Sequence, residues 1–445
     1  MFHTVELITQ TKIGVYENKF LAATIFLGLS CASTSIVFAA DQWLSFSSEQ
    51  KSRITSTERL TPIRIIESQA YDNAAAGGLW LPLPDGRRIY ARTISQNSQD
   101  NDHWTFVGSI PARKQSVVIT FGRNAVFGSI PVGDNTSVRI VTQAGKLYIA
   151  ERLPKNIALD RLKSHDSVMA PDYLIPPKPP LSEQDLQHNL ALVMQAASAT
   201  TPAVVDVLVG YTPGLVRELG SVDAVNTRIN YLVAVTNRAY SDSQVNGRLR
   251  LIGTQQVNYT DSTTDDAALK DLTEASGTSS LATLHSTRDT QGADLVALLR
   301  PYRANQGACG VAWLNGGGLQ SYNVNMQGSG YAAVSDGTDE EAGNYCEDIT
   351  FAHEIGHNLG LAHDKADSGP GAFTYAYGWR QTLDEGSFNT IMAYTADDQQ
   401  RVPYFANPRI TLCNGNPCGD VNEADQTRAL NITMPIAANF RPTKR

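Results

Sequence analysis

His353, Glu354, His357 and His363 are the residues of this chain whose types and spacing most directly specify a chemistry. The stretch reads His353-Glu354-Ile355-Gly356-His357-Asn358-Leu359-Gly360-Leu361-Ala362-His363-Asp364, and it takes three of only eight histidines in 445 residues. Imidazoles at i, i+4 and i+10, with one carboxylate beside the first, match the donor set of a hydrolytic zinc site. Three protein ligands leave one coordination position open, and that opening separates a catalytic zinc from a structural one closed by four ligands. At an open position the dication lowers the pKa of water to about 7, and a neighbouring carboxylate can take the proton. Glu354 suits that base role and would then pass the proton to a leaving amine. The implied reaction is metal-assisted amide hydrolysis. It needs one catalytic Zn2+; calcium is left undecided by the sequence.

Those side chains must be positioned by a helix that stops. Residues 346–361 carry Ile349, Ala352, Ile355 and Leu359 at a helical period, with Glu347 and Asp348 where the first turn is expected, at the positive end of the helix dipole. One turn separates His353 from His357, so both rings share a face and can reach one ion. His363 cannot join them on a continuous helix, because ten residues would carry it about 15 Å along the axis. Gly360 is where the chain can break, since glycine accepts the left-handed conformation of a helix C-cap.

In these residues the chain resembles the metzincin metalloproteases, whose HExxHxxGxxH pattern is followed by a Met-turn. The segment Thr390-Ile391-Met392-Ala393-Tyr394 fits that turn, and the resemblance makes Met392 an apolar floor beneath the imidazoles. Asp364, directly after the third histidine, is similar to the reprolysin/adamalysin branch, in which the equivalent acid is buried and braces the Met-turn. Tyr394 is similar instead to astacins and serralysins, where a tyrosine there stabilises the oxyanion. The nearest resemblance is to bacterial secreted reprolysin-like proteases, including the peptidyl-Asp metalloendopeptidases, which cleave on the amino side of acidic residues. It covers residues 200–441, including Tyr404-Phe405-Ala406-Asn407-Pro408. The resemblance implies an α+β catalytic domain, with a mixed twisted sheet on helices, the zinc helix and the Met-turn. Gly310, Val311, Ala312 and Trp313 stand in place of the edge strand that metzincins use to hold substrate, and a peptide would add to it antiparallel. The segment after Met392 forms the wall beyond the scissile bond in this clan, which makes Arg401 and Arg409 candidate partners for an acidic side chain.

The rest of the chain supplies context. A net charge of -8 argues against nucleic acid or an anionic membrane as partner, leaving polypeptide substrates and no stable membrane association. Lys12 and Lys19 precede an uncharged run over 20–40 that ends in Val37-Phe38-Ala39-Ala40, the pattern of a secretory signal peptide over 1–39. Its removal takes Cys31 and leaves Cys309, Cys346, Cys413 and Cys418, an even number that suggests two disulfides in an exported chain. Three pairings exist. The favoured one joins Cys413 to Cys418 around a tight turn and Cys309 to Cys346 at the start of the zinc helix.

Residues 40–198 read as a β-rich pro-region, with strand-like runs at 88–92, 117–121, 125–130, 137–141 and 147–150. A Pro-rich linker over 171–181 follows, then a helix capped by Ser182 with Leu186, Leu190, Val193 and Ala197 on one face. Residues 199–445 form the protease domain. In it, strands are expected at 204–209, 249–252 and 294–299, with a helical stripe of Val222, Val225, Ile229, Leu232 and Thr236. The pro-region is the expected inhibitor, but no cysteine lies between 40 and 200 to cap the zinc, so Asp160, His165 and Asp166 are the candidates. A second functional class is a zinc-retaining secreted binding or toxin-like protein that acts through its β-rich half. Glu354→Gln separates the two, since only an enzyme loses its effect.

Overall fold

The computed structural model describes residues 42–47, 50–98, 102–111, 113, 115–133, 136–153, 172–198, 201–383, 386–395 and 399–444. The signal peptide expected over 1–39, with Asp160, His165 and Asp166, lies outside the described residues.

Alternating apolar residues build the upstream half into an antiparallel sheet. Its strands are β1 (Leu44–Phe46), β2 (Arg53–Ile54), β3 (Glu58–Ile65), β4 (Gly78–Pro82), β5 (Arg88–Ser98), β6 (Trp104–Ile110), β7 (Gln115–Phe121), β8 (Val126–Gly133), β9 (Thr136–Gln143) and β10 (Lys146–Arg152), with helix α1 (Glu67–Ala75) after β3. The order is β1-β3-β10-β9-β8-β7-β6-β5-β4, with β2 also pairing β3. One face closes over Trp43, Leu79, Phe106 and Ile119, where Trp104 stacks on Phe121 at 4.2 Å. The opposite face sends Val118, Ala125 and Phe127 into the core of the downstream half. Each large apolar side chain buried there contributes about 1.5–3 kcal/mol.

Downstream come β11 (Tyr173–Leu174), α2 (Glu183–Ser198), β12 (Ala203–Tyr211), α3 (Pro213–Leu219), α4 (Val222–Asp242), β13 (Gly247–Gln256), α5 (Asp265–Thr273) and α6 (Ala282–Gln291). They are followed by β14 (Leu295–Pro301), β15 (Gly310–Trp313), β16 (Tyr331–Asp339), β17 (Asn344–Cys346), α7 (Thr350–Asn358), β18 (Ala362–Asp364) and α8 (Gln426–Ala437). The sheet order is β11-β15-β16-β14-β12-β13. Strands β13, β12, β14 and β16 run parallel, and β15 reverses against β16. Continuous apolar runs such as Val207-Leu208-Val209 suit strands covered on both faces. Helix α4 starts at a Ser221 cap that accepts the Ala224 amide and packs Val225, Ile229 and Leu232 inward. The downstream half is thus a mixed helix-and-sheet architecture.

Three expectations change. Helix α7 is shorter than 346–361, because Cys346 belongs to β17 and Glu347 and Asp348 precede the helix. Arginines hold those two acids: Glu347 meets Arg152 at 3.2 Å and Arg401 at 3.1 Å, and Asp348 meets Arg228 at 2.7 Å and Arg139 at 3.3 Å. Such buried partners outweigh a helix dipole worth about 0.3–1 kcal/mol. In α2 the Leu186 and Leu190 side chains are exposed, while Asn189 turns inward and Val193 packs on the core. Val222, counted in the α4 stripe, is exposed at the helix start.

Disulfides join Cys309 to Cys346 and Cys413 to Cys418. Among the described residues no helix is long and apolar enough to cross a membrane.

Candidate active site

The site begins with α7, whose Phe351, Ala352 and Ile355 are anchored in the core and so fix the direction of His353 and His357. At its end the Gly360 amide donates to the His357 carbonyl and the Leu361 amide to the Gly356 carbonyl, while Gly360 takes φ +88°. A Cβ there would also fall 2.8 Å from that of Ala372. The reversal delivers His363 on β18, back beside the helix.

The three imidazoles converge. Their Nε2 atoms are 3.1 Å apart in all three pairs. The Nδ1 atoms of His353 and His357 lie 2.8 Å from the carbonyls of Ile391 and Leu361, so each Nδ1–H donates outward and each Nε2 lone pair points to the shared centre. Burial pushes the His363 imidazole down to about 3 and lowers that of His357, against the pull of the Asp172 charge. Three buried ring nitrogens aimed at one point cannot satisfy one another. One ion at metal–imidazole distances of about 2.0–2.1 Å would satisfy all three, so the residues fit a metal.

Glu354 is buried at 1% exposure. Burial, and then the charges of Asp172 and Asp265, push its carboxyl well above the usual carboxylate range. It occupies the space of a missing side chain, since a Cβ on Gly310 would fall 2.6 Å from Glu354 Oε1. Glu354, His353, Thr350, Glu347, Arg401 and Asp172 line a cavity of about 30 Å³, large enough for a water molecule.

The other residues singled out in the sequence fall around this centre. Met392 is fully buried, with its sulfur where a Cβ on Gly356 would come within 2.6 Å, so it packs under the helix between the two histidines. Asp364 is 3% exposed, accepts the Tyr394 amide at 3.3 Å and meets Arg380 at 3.3 Å, which holds the turn after Met392 to β18. The Tyr394 ring lies 4.0 Å from that of His363. Arg401 donates to the Ile391 carbonyl at 2.8 Å and faces the cavity, whereas Arg409 is clamped by Asp425 at 2.6 and 2.7 Å. Arg401 is itself paired with Glu347 at 3.1 Å, so the two arginines differ in that only Arg401 lines the cavity.

Strand β15 does not present its outer edge. Tyr173 pairs with Ala312 and Leu174 with Trp313, in parallel. Just before them, Asp172 reaches the three histidines: Oδ1 lies 2.6 Å from His363 Nε2 and 3.4 Å from His357 Nε2, and Oδ2 lies 3.6 Å from His353 Nε2. Sequence reasoning overlooked Asp172. The available signal was an acid at the head of Tyr173-Leu174-Ile175, a short β-forming run next to the proline-rich segment.

The model of metallo-peptidase family M12B, reprolysin-like, matches residues 201–424, which start after the upstream sheet. A peptidyl-Asp metalloendopeptidase of Pseudomonas aeruginosa is 33% identical over 281 residues, 58% of this chain and 44% of that protein. Two proteins of the same name from Stenotrophomonas maltophilia are 33% identical over 278 residues (61% and 59% of the two lengths) and 31% identical over 371 residues (81% and 78%). The match thus spans 44% and 59% of the first two relatives' lengths but 78% of the third. A family match that opens with β12 and runs past the three histidines and the methionine turn places the chain in the reprolysin-like M12B metallopeptidase family, to which it belongs.

Proposed function

We propose that the chain is a secreted zinc endopeptidase that cuts polypeptides on the amino side of acidic residues, with residues 40–198 as its inhibitory pro-region. One observation carries the reading: three buried imidazole Nε2 atoms, 3.1 Å apart in every pair, beside the buried carboxyl of Glu354. Zinc held by His353, His357 and His363 would polarise the scissile carbonyl and make water acidic enough to ionise near neutral pH. Glu354 takes the water's proton as its oxygen adds to the carbonyl carbon. When the C–N bond breaks, the same carboxyl gives the proton to the departing nitrogen. The Tyr394 hydroxyl donates to the carbonyl oxygen as that oxygen gains charge. Substrate backbone lies along β15 as an added strand, which requires that β11 leave.

The names of the relatives support an acidic preference. Arg401 supports it too, as a cation lining the cavity beside Glu354 and suited to a carboxylate next to the scissile bond. Two disulfides suit an oxidising compartment and an exported chain.

The test is Glu354→Gln in processed protein. Zinc content is expected to stay at one per chain while turnover of an unfolded protein falls by about 10²–10⁴. Unchanged turnover would remove Glu354 from the chemistry, and zinc-replete wild type that cuts nothing would remove the protease reading.

A further inference from the structure

We infer that Asp172 is the fourth metal ligand of the uncut chain, delivered by a strand laid backwards along β15, so that the precursor closes its own open coordination position. The inference rests on the reading of His353, His357 and His363 as metal ligands and adds the group that keeps the site latent.

Geometry brings Asp172 there. One donor atom from each of the four side chains lies within 4.8 Å of all the others. Three imidazoles and one carboxylate form a complete four-coordinate set for zinc, whose structural sites are closed and whose catalytic sites are not. A carboxylate in that place excludes both water and a substrate carbonyl.

Backbone contacts hold Asp172 in position. The Ala312 amide donates to the Asp172 carbonyl at 3.3 Å, and the Leu314 amide to the Leu174 carbonyl at 2.8 Å. The Asp172 amide donates to the Tyr394 hydroxyl at 3.4 Å, occupying the group proposed for the oxyanion. Tyr173, 8% exposed, wedges its ring 5.2 and 5.3 Å from those of His357 and His363. Further along, the Pro176 and Pro180 carbonyls accept from Gln320 and Asn325, so the linker is tied down on both sides of its proline run. An aspartate tethered in this way reaches the three histidines without having to be recruited from solution.

Strand direction explains why the segment can occupy the cleft uncut. Substrate is proposed to pair antiparallel with β15, whereas β11 pairs parallel. A reversed backbone offers the metal a side-chain carboxylate in place of a scissile carbonyl. Cutting within 175–198 breaks the covalent link between Asp172 and residues 199–445 and lets Asp172 leave with the upstream sheet.

The test uses the full chain in a Glu354→Gln background, which prevents self-processing, loaded with cobalt(II) or zinc. Asp172→Asn and Asp172→Ala are expected to shift the visible cobalt absorption and to speed zinc transfer to a chelating dye by about tenfold or more. With Glu354 intact, the same substitutions are expected to give the uncut chain cleavage of a quenched peptide at least about tenfold above that of the uncut wild type. Identical spectra and release rates for all three chains would overturn the inference. Wild type provides an arm without substitutions: cutting within 175–198 and removing the upstream fragment must shift the cobalt spectrum in the same direction, and an unshifted spectrum overturns the inference. Processed zinc enzyme that cuts nothing while the Asp172 shift persists counts against the protease reading alone. Active processed enzyme with no such shift counts against Asp172 alone.

Discussion

A single methyl group added at position 310 would come within 2.6 Å of the Glu354 carboxylate, so that carboxylate keeps its place only because β15 begins with glycine. Gly310→Ala is therefore expected to lower kcat by about 10²-fold, the usual cost of a 1 Å misplacement, with zinc content unchanged. An unaltered kcat would mean that the carboxyl tolerates displacement. The two arginines make a paired prediction. Arg401→Ala should erase the preference for acidic residues in a peptide library, because Arg401 lines the cavity beside Glu354; Arg409→Ala should leave it intact, because Arg409 does not line that cavity. The reverse outcome would put the specificity wall elsewhere. At this scale the sequence was most legible where chemistry is local. Three histidines and a glutamate within eleven positions of one another announce a metal site, and the break at Gly360 follows from requiring the third ring to return. Asp172 escaped notice because its role depends on a strand register that no local spacing encodes.

Helix α7 is a short, rigid bracket whose exit is fixed by one left-handed residue. Gly360→Ala meets the left-handed penalty of about 1–2 kcal/mol, and its Cβ falls 2.8 Å from Ala372. Denaturant unfolding should register at least that loss, together with weaker zinc binding as His363 shifts. Wild-type stability with wild-type zinc affinity would contradict the claim that this turn places the third ligand. Elements with clean periodicity, such as α4, β12 and the runs now seen as β7 to β10, could be recognised from the residues alone. Others could not. Strand β6 is interrupted by Gly108, which reads as a breaker, yet a Cβ there would strike the Phe106 ring at 2.5 Å, so the glycine makes room for the core. Helix α8 carries Pro435 in its last turn and gives a weak sequence signal, but it is fixed by an Asp425 cap and by burial of Leu430, Met434 and Ile436. Helix α2 misled because Leu186 and Leu190 of its apolar stripe face out while Asn189 faces in and accepts the Val324 amide.

Across the whole molecule, a buried ion network joins the upstream sheet to the catalytic half. Arg139 of β9 bridges Glu58 and Asp348, and Arg228 of α4 bridges Asp348 and Asp336, with Tyr231 donating to Asp348 at 2.9 Å. Burial alone would raise the Asp348 carboxyl, but Arg228 and Arg139 hold it far below the usual carboxylate range. Its folded value lies below its unfolded value of about 3.9, so its stabilisation is fully present above about pH 4 and is lost as pH falls further. Thermal melting of the full chain should steepen in acid below about pH 4. Asp348→Asn should flatten that limb and cost about 3–5 kcal/mol at neutral pH, since it leaves buried arginines undercompensated; a variant as stable as wild type would mean the network is peripheral. Residues 201–424 carry the family match, and the upstream sheet that contributes Arg139 and leads to Asp172 lies before them. The most direct measurement of the central claim is the zinc content of processed protein together with its cleavage of a denatured protein before and after chelation. One zinc per chain, activity abolished by the chelator and restored by added zinc is the expected result; protein without metal, or cleavage that persists once the metal is stripped, would contradict the account.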